Sequence, residues 1–449
     1  MRKYSSYKDS GVEWVGEIPE HWDLKRIKHT TYVKGRIGWK GLRSDEFLEE
    51  SDGFVVTGTD FKNGRIQWET CYQIPQARYD EDPFIQLREG DILITKDGTI
   101  GKIAVVENMP KIATLNSGVF VTRPYGDDYA PEFMYWLLVS EIFVSFYDYN
   151  KSGSTIQHLY QNIFNEFKFP VPPIYEQTQI ANYLDQKTAE IDKLIAKKEQ
   201  LIKLLEEERT AMINQAVTKG LDPNVPMKDS GIDWLGEIPG HWEEARIKNL
   251  ANIIGRIGFR GYTTADLVQE GEGAISLSPS NIKNQKLILK KCTYLSWNKY
   301  HESPEIKIYP NDILLVKTGS TIGKVALVPK KTPEMTLNPQ LVVLKNIEIN
   351  SKFLYLIMVS DYFQAYFSVY IAGGSTPAIS QEKINNFKIT YPDLNEQKEI
   401  VDKAFKEELR IYRLMETINQ EINLLKEYKT ALISEVVTGK IDIRQEVLN

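Results

Sequence analysis

Apolar and polar positions follow two rhythms along this chain. Short β-branched runs bounded by glycine, such as DILIT (91–95) and KIAVV (102–106), predict strands. KDGTIG lies between them and carries an Asp-Gly turn signal. Downstream, FMYWLLVSEIFVSFY is apolar on most sides and predicts one buried helix, followed by the loop NKSGST (150–155). VPPIYEQ then opens a long helix, because prolines sit before or at a helix start and not within it. The 42 residues from Glu176 to Val217 contain no Gly or Pro, enough for about 63 Å of helix at roughly 1.5 Å per residue.

The stretch from Glu396 to Val437 is equally free of both residues. Within it, Val401, Glu408, Met415, Ile422, Lys429 and Val436 share one heptad position, and Ala404, Ile411, Ile418, Leu425 and Leu432 the other. The same register in the first stretch gives Ala181, Thr188, Ile195, Ile202, Arg209 and Ala216, with Leu184, Ile191, Lys198, Leu205 and Met212. Nine of eleven positions are apolar in the second helix and eight of eleven in the first, which predicts a coiled-coil seam in each. Two equal seams in one chain pair most simply with each other. The connector KGLDPNVPMKDSG (219–231) is short and turn-rich, so the second globular part starts near the far end of the first helix and the pairing is expected to be antiparallel.

The whole chain is written twice. KDSGVEWVGEIPEHWDLKRIKHTTYVKGRIGWKG (8–41) matches KDSGIDWLGEIPGHWEEARIKNLANIIGRIGFRG (228–261) at 19 of 34 positions, which establishes a repeat. The match continues through GDILITKDGTIGKIAVV and NDILLVKTGSTIGKVALV, TLN (114–116 and 336–338), SGST and GGST, and AVTKGLD and VVTGKID. Residues 42–88 and 262–308 barely align. The expected fold class is α+β, with two pseudo-symmetric mixed α/β heads separated by an antiparallel two-helix coiled coil. The boundaries read as a head over 1–170, a central helical spacer over 171–226, a second head over 227–391 and a distal helical spacer over 392–449.

Composition narrows the class. Hydrophobic residues make up 42% and charged residues 26% of 449, an ordinary globular balance with material for more than one core. The two cysteines, Cys71 and Cys292, exclude a disulfide framework, and a reducing cytoplasm fits. The N-terminus shows no apolar signal core, and the greasiest stretches (133–147 and 353–367) are interrupted by Glu141 and Asp361.

Catalytic constellations are missing. VPPIY lacks the polar residue that an amino-methyltransferase motif carries before its prolines, and TLNPQ lacks the second proline. GTIGKI and GSTIGKV have the wrong spacing for a phosphate loop and no hydroxyl after Lys102 or Lys324. PEIK (304–307) hints at a nuclease Glu-x-Lys, with Asp266 the nearest upstream aspartate, but the first copy has no counterpart. The five histidines are scattered, so a binding protein is favoured over an enzyme.

Basic residues in the repeated glycine-rich loops are the better lead. Arg36 and Lys40 flank Trp39, and Arg256 and Arg260 flank Phe259. The turns carry Lys96 and Lys102, and Lys317, Ser320 and Lys324. Lys62, Arg65, Lys151, Ser154, Lys283 and Ser375 complete the set of candidate contacts. Glycine lets backbone N–H groups approach a phosphate, Lys or Arg supplies charge, and Arg can also read guanine through two hydrogen bonds.

The string VPPIYEQTQIANYLDQKTAEID (171–192) resembles the Pro-Pro, Glu-Gln, Ile-Ala, Leu-Asp, Ile-Asp opening of the helical region in specificity subunits of type I restriction–modification systems. KDSGVEWVGEIPEHW, KDSGIDWLGEIPGHW and DGTIGK are similar to that family as well, in the expected order along the whole chain. YPDLNEQKEIVDKAFKEEL (391–409) keeps Glu396 and Gln397 but lacks the Leu-Asp and Ile-Asp pairs. The resemblance implies a non-catalytic subunit whose two target-recognition domains each read one half of a bipartite double-stranded DNA site, with the helices setting the gap. It also implies two methyltransferase subunits using S-adenosylmethionine, and restriction/translocase subunits using ATP and magnesium. The chain itself is then expected to hold no cofactor or metal. Residues 228–391 carry a net charge of +4, against −5 for residues 1–170, so partners are expected to supply much of the phosphate neutralisation. The alternative reading is a scaffold with two protein-binding heads on a coiled-coil stalk.

Overall fold

The computed structural model describes residues 2–36, 41–43, 46–150, 158–232, 235–371 and 377–446, without the side chains of 259 and 369–371. The chain divides into two compact units, Met1–Lys198 with Asn419–Asn449, and Glu199–Ile418. Among the described residues, no helix is long and apolar enough to cross a membrane.

In the first unit six strands form one sheet in the order Thr31–Gly35, Val119–Pro124, Ile92–Thr95, Ile103–Val105, Arg65–Ile66 and Phe61–Lys62. Ile92–Thr95 is buried along its length and pairs antiparallel on both sides, Ile94 facing Phe120 and Ile103. A short unbroken apolar run is what such a doubly flanked strand needs. KDGTIG becomes the tight turn that its glycines suggest, with Gly98 at φ +69° and Gly101 at +80°. Three further strands, Ala113–Leu115, Gly53–Val56 and Tyr72–Ile74, make a second sheet. Phe54, Val56, Leu93, Leu115 and Val121 join in one apolar cluster.

The expected single helix FMYWLLVSEIFVSFY is two, Pro131–Val139 and Glu141–Tyr149. Ser140 between them is extended (ψ 163°), and its hydroxyl donates back to the Leu137 carbonyl at 2.6 Å. Serine offers the backbone a local partner that competes with helix continuation. Ser360 ends Ser351–Val359 in the same way, donating to Ile357 at 2.6 Å before Asp361–Ile371 begins.

The second unit repeats this plan with two four-stranded sheets. One runs Asn252–Gly255, Leu341–Lys345, Ile313–Val316, Val325–Leu327, and the other Leu267–Val268, Thr293–Ser296, Gly273–Leu277, Met335–Leu337. The poorly aligning stretches hold the same elements. Gly53–Val56 corresponds to Gly273–Leu277, the hairpin Phe61–Lys62/Arg65–Ile66 to Ile282–Lys283/Lys286–Leu287, and Gln76–Asp80 to Trp297–His301. Gly53–Val56 and Gly273–Leu277 each run parallel to the strand carrying the repeated Thr-Leu, so the shared frame dictates their place.

The long helices span Ile174–Thr218 and Leu394–Val437, and parts of both occur in each unit. In the first unit Asp192 pairs with Lys429 at 2.7 Å and Lys198 with Glu421 at 2.6 Å. In the second, Glu208 pairs with Arg410 at 2.7 Å, and Arg209 with Glu408. Numbers rise along one helix as they fall along the other, so the pairing is antiparallel in each unit. Every seam position named above is buried or half-buried. The charged intrusions Lys198, Arg209, Glu408 and Lys429 each meet an opposite charge across the pair, a device that fixes register at some cost in stability.

A repeated glutamine ties each long helix to its head. Gln177 accepts from the Ala130 amide at 2.7 Å and donates to the Pro172 carbonyl at 2.8 Å. Gln397 makes the same pair of bonds with Asn350 and Pro392, both at 2.8 Å.

Candidate nucleic-acid interface

In each unit the sheet ends deliver three turns to one place. In the first unit these follow Val56, Thr95 and Leu115. Asn116 donates its amide to Val56 at 2.9 Å, Lys96 to Gly118 at 2.9 Å, and Leu159 to Lys96 at 2.9 Å. The second unit repeats the pattern: Asn338 to Leu277 at 2.8 Å, Lys317 to Gln340 at 2.9 Å, and Ile379 to Lys317 at 2.9 Å. Backbone bonds therefore hold the glycine-rich turn, the Thr-Leu-Asn turn and the segment after the Ser-Thr loop together, whatever the side chains.

The candidate cations fall into distinct settings. Lys96 is half-buried with its ammonium 5.1 Å from the centre of the Phe120 ring. Lys102 is exposed, Lys317 and Lys324 are half-buried, and none of these three has an ion-pair partner among the described residues. Ser320 is exposed at the tip of the second turn. Lys62 and Lys283 are exposed on equivalent hairpins. Arg65, also exposed, pairs with Glu107 at 2.6 Å. The hairpins lean on the helix after the sheet: Tyr135 stands against Gly64, and the Tyr355 hydroxyl donates to the Gln285 carbonyl at 2.8 Å.

Arg36 and Arg256 do not face outward. They are 2% and 6% exposed. Arg36 donates to the Leu115 carbonyl at 2.7 Å and Thr114 at 3.2 Å, and Arg256 to Leu337 at 2.9 Å and Thr336 at 3.0 Å. Burial pulls both guanidinium groups below their usual range. These arginines brace the Thr-Leu-Asn strand from within, which accounts for their repetition without any ligand. Arg260 is pinned to Glu305 at 3.2 Å. Lys40, Lys151, Ser154 and Ser375 lie outside the described residues.

Sequence reading missed the turn that follows Val56. Thr57 and Thr59 bring their hydroxyl oxygens within 2.6 Å, and Ser278 and Ser280 do so at 2.7 Å in the second unit. The available signal was a pair of hydroxyls two residues apart, followed by Asp60 or Asn281, between a strand and a hairpin.

The nuclease hint dissolves into local contacts. Glu305 binds Arg260, the Lys307 ammonium sits 4.6 Å from the Tyr300 ring centre, and Asp266 accepts from the Thr263 amide at 2.8 Å. Among the described residues, no cluster of His, Cys, Asp or Glu could hold a metal ion.

The fold has known relatives. The family profile described as "Type I restriction modification DNA specificity domain" matches residues 42–204 and 239–424. The MjaVIII specificity subunit of Methanocaldococcus jannaschii is 26% identical, over 95% of this chain and 94% of its own. The EcoBI specificity subunit of Escherichia coli is 24% identical, over 85% of this chain and 78% of its own. The HsdS subunit from Thermoanaerobacter tengcongensis superposes with a TM-score of 0.56 at 15% identity, covering 94% of this chain and 98% of that one. A chain from a solved structure of a type I R-M system superposes at 0.71 with 15% identity, covering 94% and 99%. The chain belongs to the specificity subunits of type I restriction–modification systems, the non-catalytic components that recognise DNA.

Proposed function

We propose that each unit reads one half of a bipartite site in double-stranded DNA, with the three-turn cluster as its reading edge and the paired helices setting the gap between the halves. The observation that carries this reading is one frame holding two different sets of side chains. The backbone bonds among the turns repeat residue for residue, while KDGTIG faces KTGSTIG and Thr57–Asp60 faces Ser278–Asn281. Lys96, Lys102, Lys317 and Lys324 meet the DNA backbone beside the bases. Arg36 and Arg256 serve as internal braces. Lys62, Arg65 and Lys283 contact flanking DNA from the hairpins, and Ser320 contacts it from the second turn.

Two methyltransferase subunits dock on the helices. Exposed apolar residues outside the seam, including Leu194, Leu201, Leu204, Leu409 and Leu424, support that surface. S-adenosylmethionine belongs to those partners, and ATP with magnesium to restriction/translocase subunits that join in the cytoplasm. Gel-shift titration of the purified chain, with and without a co-expressed methyltransferase subunit, tests this reading. Sequence-dependent binding is expected in the complex. Its absence from both samples would overturn the proposal.

A further inference from the structure

The turn Thr57-Gly58-Thr59-Asp60 and its counterpart Ser278-Pro279-Ser280-Asn281 share no residue, yet they share a hydrogen-bond pattern. Asp60 is 4% exposed and accepts from the Thr57 amide at 2.7 Å and the Thr57 hydroxyl at 2.9 Å. Asn281 is 3% exposed, and its side-chain oxygen accepts from the Ser278 amide at 3.0 Å and the Ser278 hydroxyl at 3.2 Å. The Asn281 side-chain nitrogen donates to the Ile288 carbonyl at 3.2 Å, which fixes the orientation of the amide.

A carboxylate or an amide oxygen only accepts, so the single hydroxyl proton of Thr57 and of Ser278 is committed inward. The outer hydroxyls, Thr59 and Ser280, lie 2.6 and 2.7 Å from the inner ones. With the inner proton on Asp60 or Asn281, the outer hydroxyls are the donors in those contacts. Each outer oxygen then presents lone pairs, and no proton, to the solvent. A hydroxyl that could ordinarily act either way has been given one polarity, in both units. Thr59 and Ser280 are exposed, whereas their inner partners are half-buried. Gly58 packs so closely on Thr95 that an added Cβ would come within 2.6 Å of its methyl carbon, which sets the turn against the start of the lysine-bearing hairpin loop.

An acceptor of this kind does not suit phosphate oxygens, which accept as well. It suits an N–H donor, and in the major groove those donors are the amino groups of adenine N6 and cytosine N4. We propose that Thr59 and Ser280 are specificity-determining residues, each accepting a hydrogen bond from an exocyclic amino group in its unit's half-site. Asp60 and Asn281 act as positioning residues that hold the hydroxyl polarity. The inference rests on the reading of one half-site per unit.

The test uses the chain in complex with methyltransferase subunits, and duplexes carrying every single-base change in each half of the site. Thr59→Val should weaken binding of the parent site about tenfold or more and abolish discrimination at one position of one half. Its salt dependence should stay unchanged. Ser280→Ala should do the same in the other half. Thr59→Ser should restore discrimination, and Asp60→Asn, which imitates the second unit, should retain it. Uniform weakening across all duplexes with a shallower salt slope would identify a phosphate contact and overturn the inference, while leaving the half-site reading intact. Unchanged discrimination in both variants would overturn it too. A wild-type complex without sequence preference would bring down the half-site reading itself.

Discussion

The two units close the start of their long helices to different degrees. In the first, Glu176 is fully buried and accepts from Tyr4, from Trp22 at 3.2 Å and from His21 at 3.0 Å. In the second, Glu396 receives Trp242 at 3.2 Å and His241 at 2.7 Å, and a quarter of its side chain remains exposed. The difference lies in Tyr4 and in the segment around Asp442 and Arg444. Asp442 donates its amide to the Arg2 carbonyl at 2.9 Å, and the Arg444 guanidinium stacks 4.7 Å from the centre of the Tyr4 ring. Burial, and then Glu176, push the Tyr4 hydroxyl far above the usual tyrosine range, so it remains a donor. Asn224 stands where the repeat would place a second Tyr4. A motif repeated letter for letter, His-Trp answering Glu-Gln, is thus fully covered in one unit and partly open in the other.

The largest expected effect follows from that inequality. Glu176→Ala leaves buried donors without an acceptor and should cost the first unit about 3 kcal/mol. Glu396→Ala, with water able to reach the site, should cost the second about 1 kcal/mol. Hydrogen exchange resolved by unit measures both, and equal losses would break the comparison.

A second contrast separates braces from contacts. Arg36→Met and Arg256→Met should each lose about 2 kcal/mol by leaving strand carbonyls unpaired. Lys102→Ala and Lys324→Ala should stay within roughly 0.5 kcal/mol of wild type in chemical denaturation. In the complex, each lysine variant should instead lower the salt slope of DNA binding by about one.

The hairpin turns offer a subtler contrast. Tyr355→Phe deletes the bond to Gln285 and should destabilise the second unit by about 1 kcal/mol. Tyr135→Phe should change the first by less than that, because Gly64 meets Tyr135 by packing. Thermal melts of the two variants decide it.

The smallest effect concerns acid. Arg444 holds the Asp442 carboxyl below the usual aspartate range. The folded state therefore binds that proton less readily than the unfolded chain. The tail's stabilisation is complete above about pH 3.9 and is lost as pH falls through the lower folded value. Pepsin cleavage near residues 441–446 should rise on acidification, and Asp442→Asn should remove that dependence. The matching stretch of the second unit has Asp222 with Asn224 in place of Arg444, so among the described residues it lacks that ion pair.

Much of this was legible in the sequence. The repeat, the two long helices, their seams and the glycine turn all rest on spacing, which folding preserves. The likeness of residues 42–88 to 262–308 was not legible, because parallel pairing with the Thr-Leu strand fixes those strands more than their own side chains do. Arg36 and Arg256 misled for a similar reason: a repeated arginine in a glycine-rich loop reads as a ligand contact, and only the fold reveals the carbonyls it serves. The break at Ser140 depended on one hydroxyl turning back on its own helix.

One substitution experiment reaches the central claim directly. Residues 42–88 are exchanged for the corresponding stretch of a relative with a different target, and the methylated sites of a host carrying the complex are sequenced. A new sequence in one half of the site, with the other half and the gap unchanged, is the predicted result. A change in both halves, or in neither, would contradict the account.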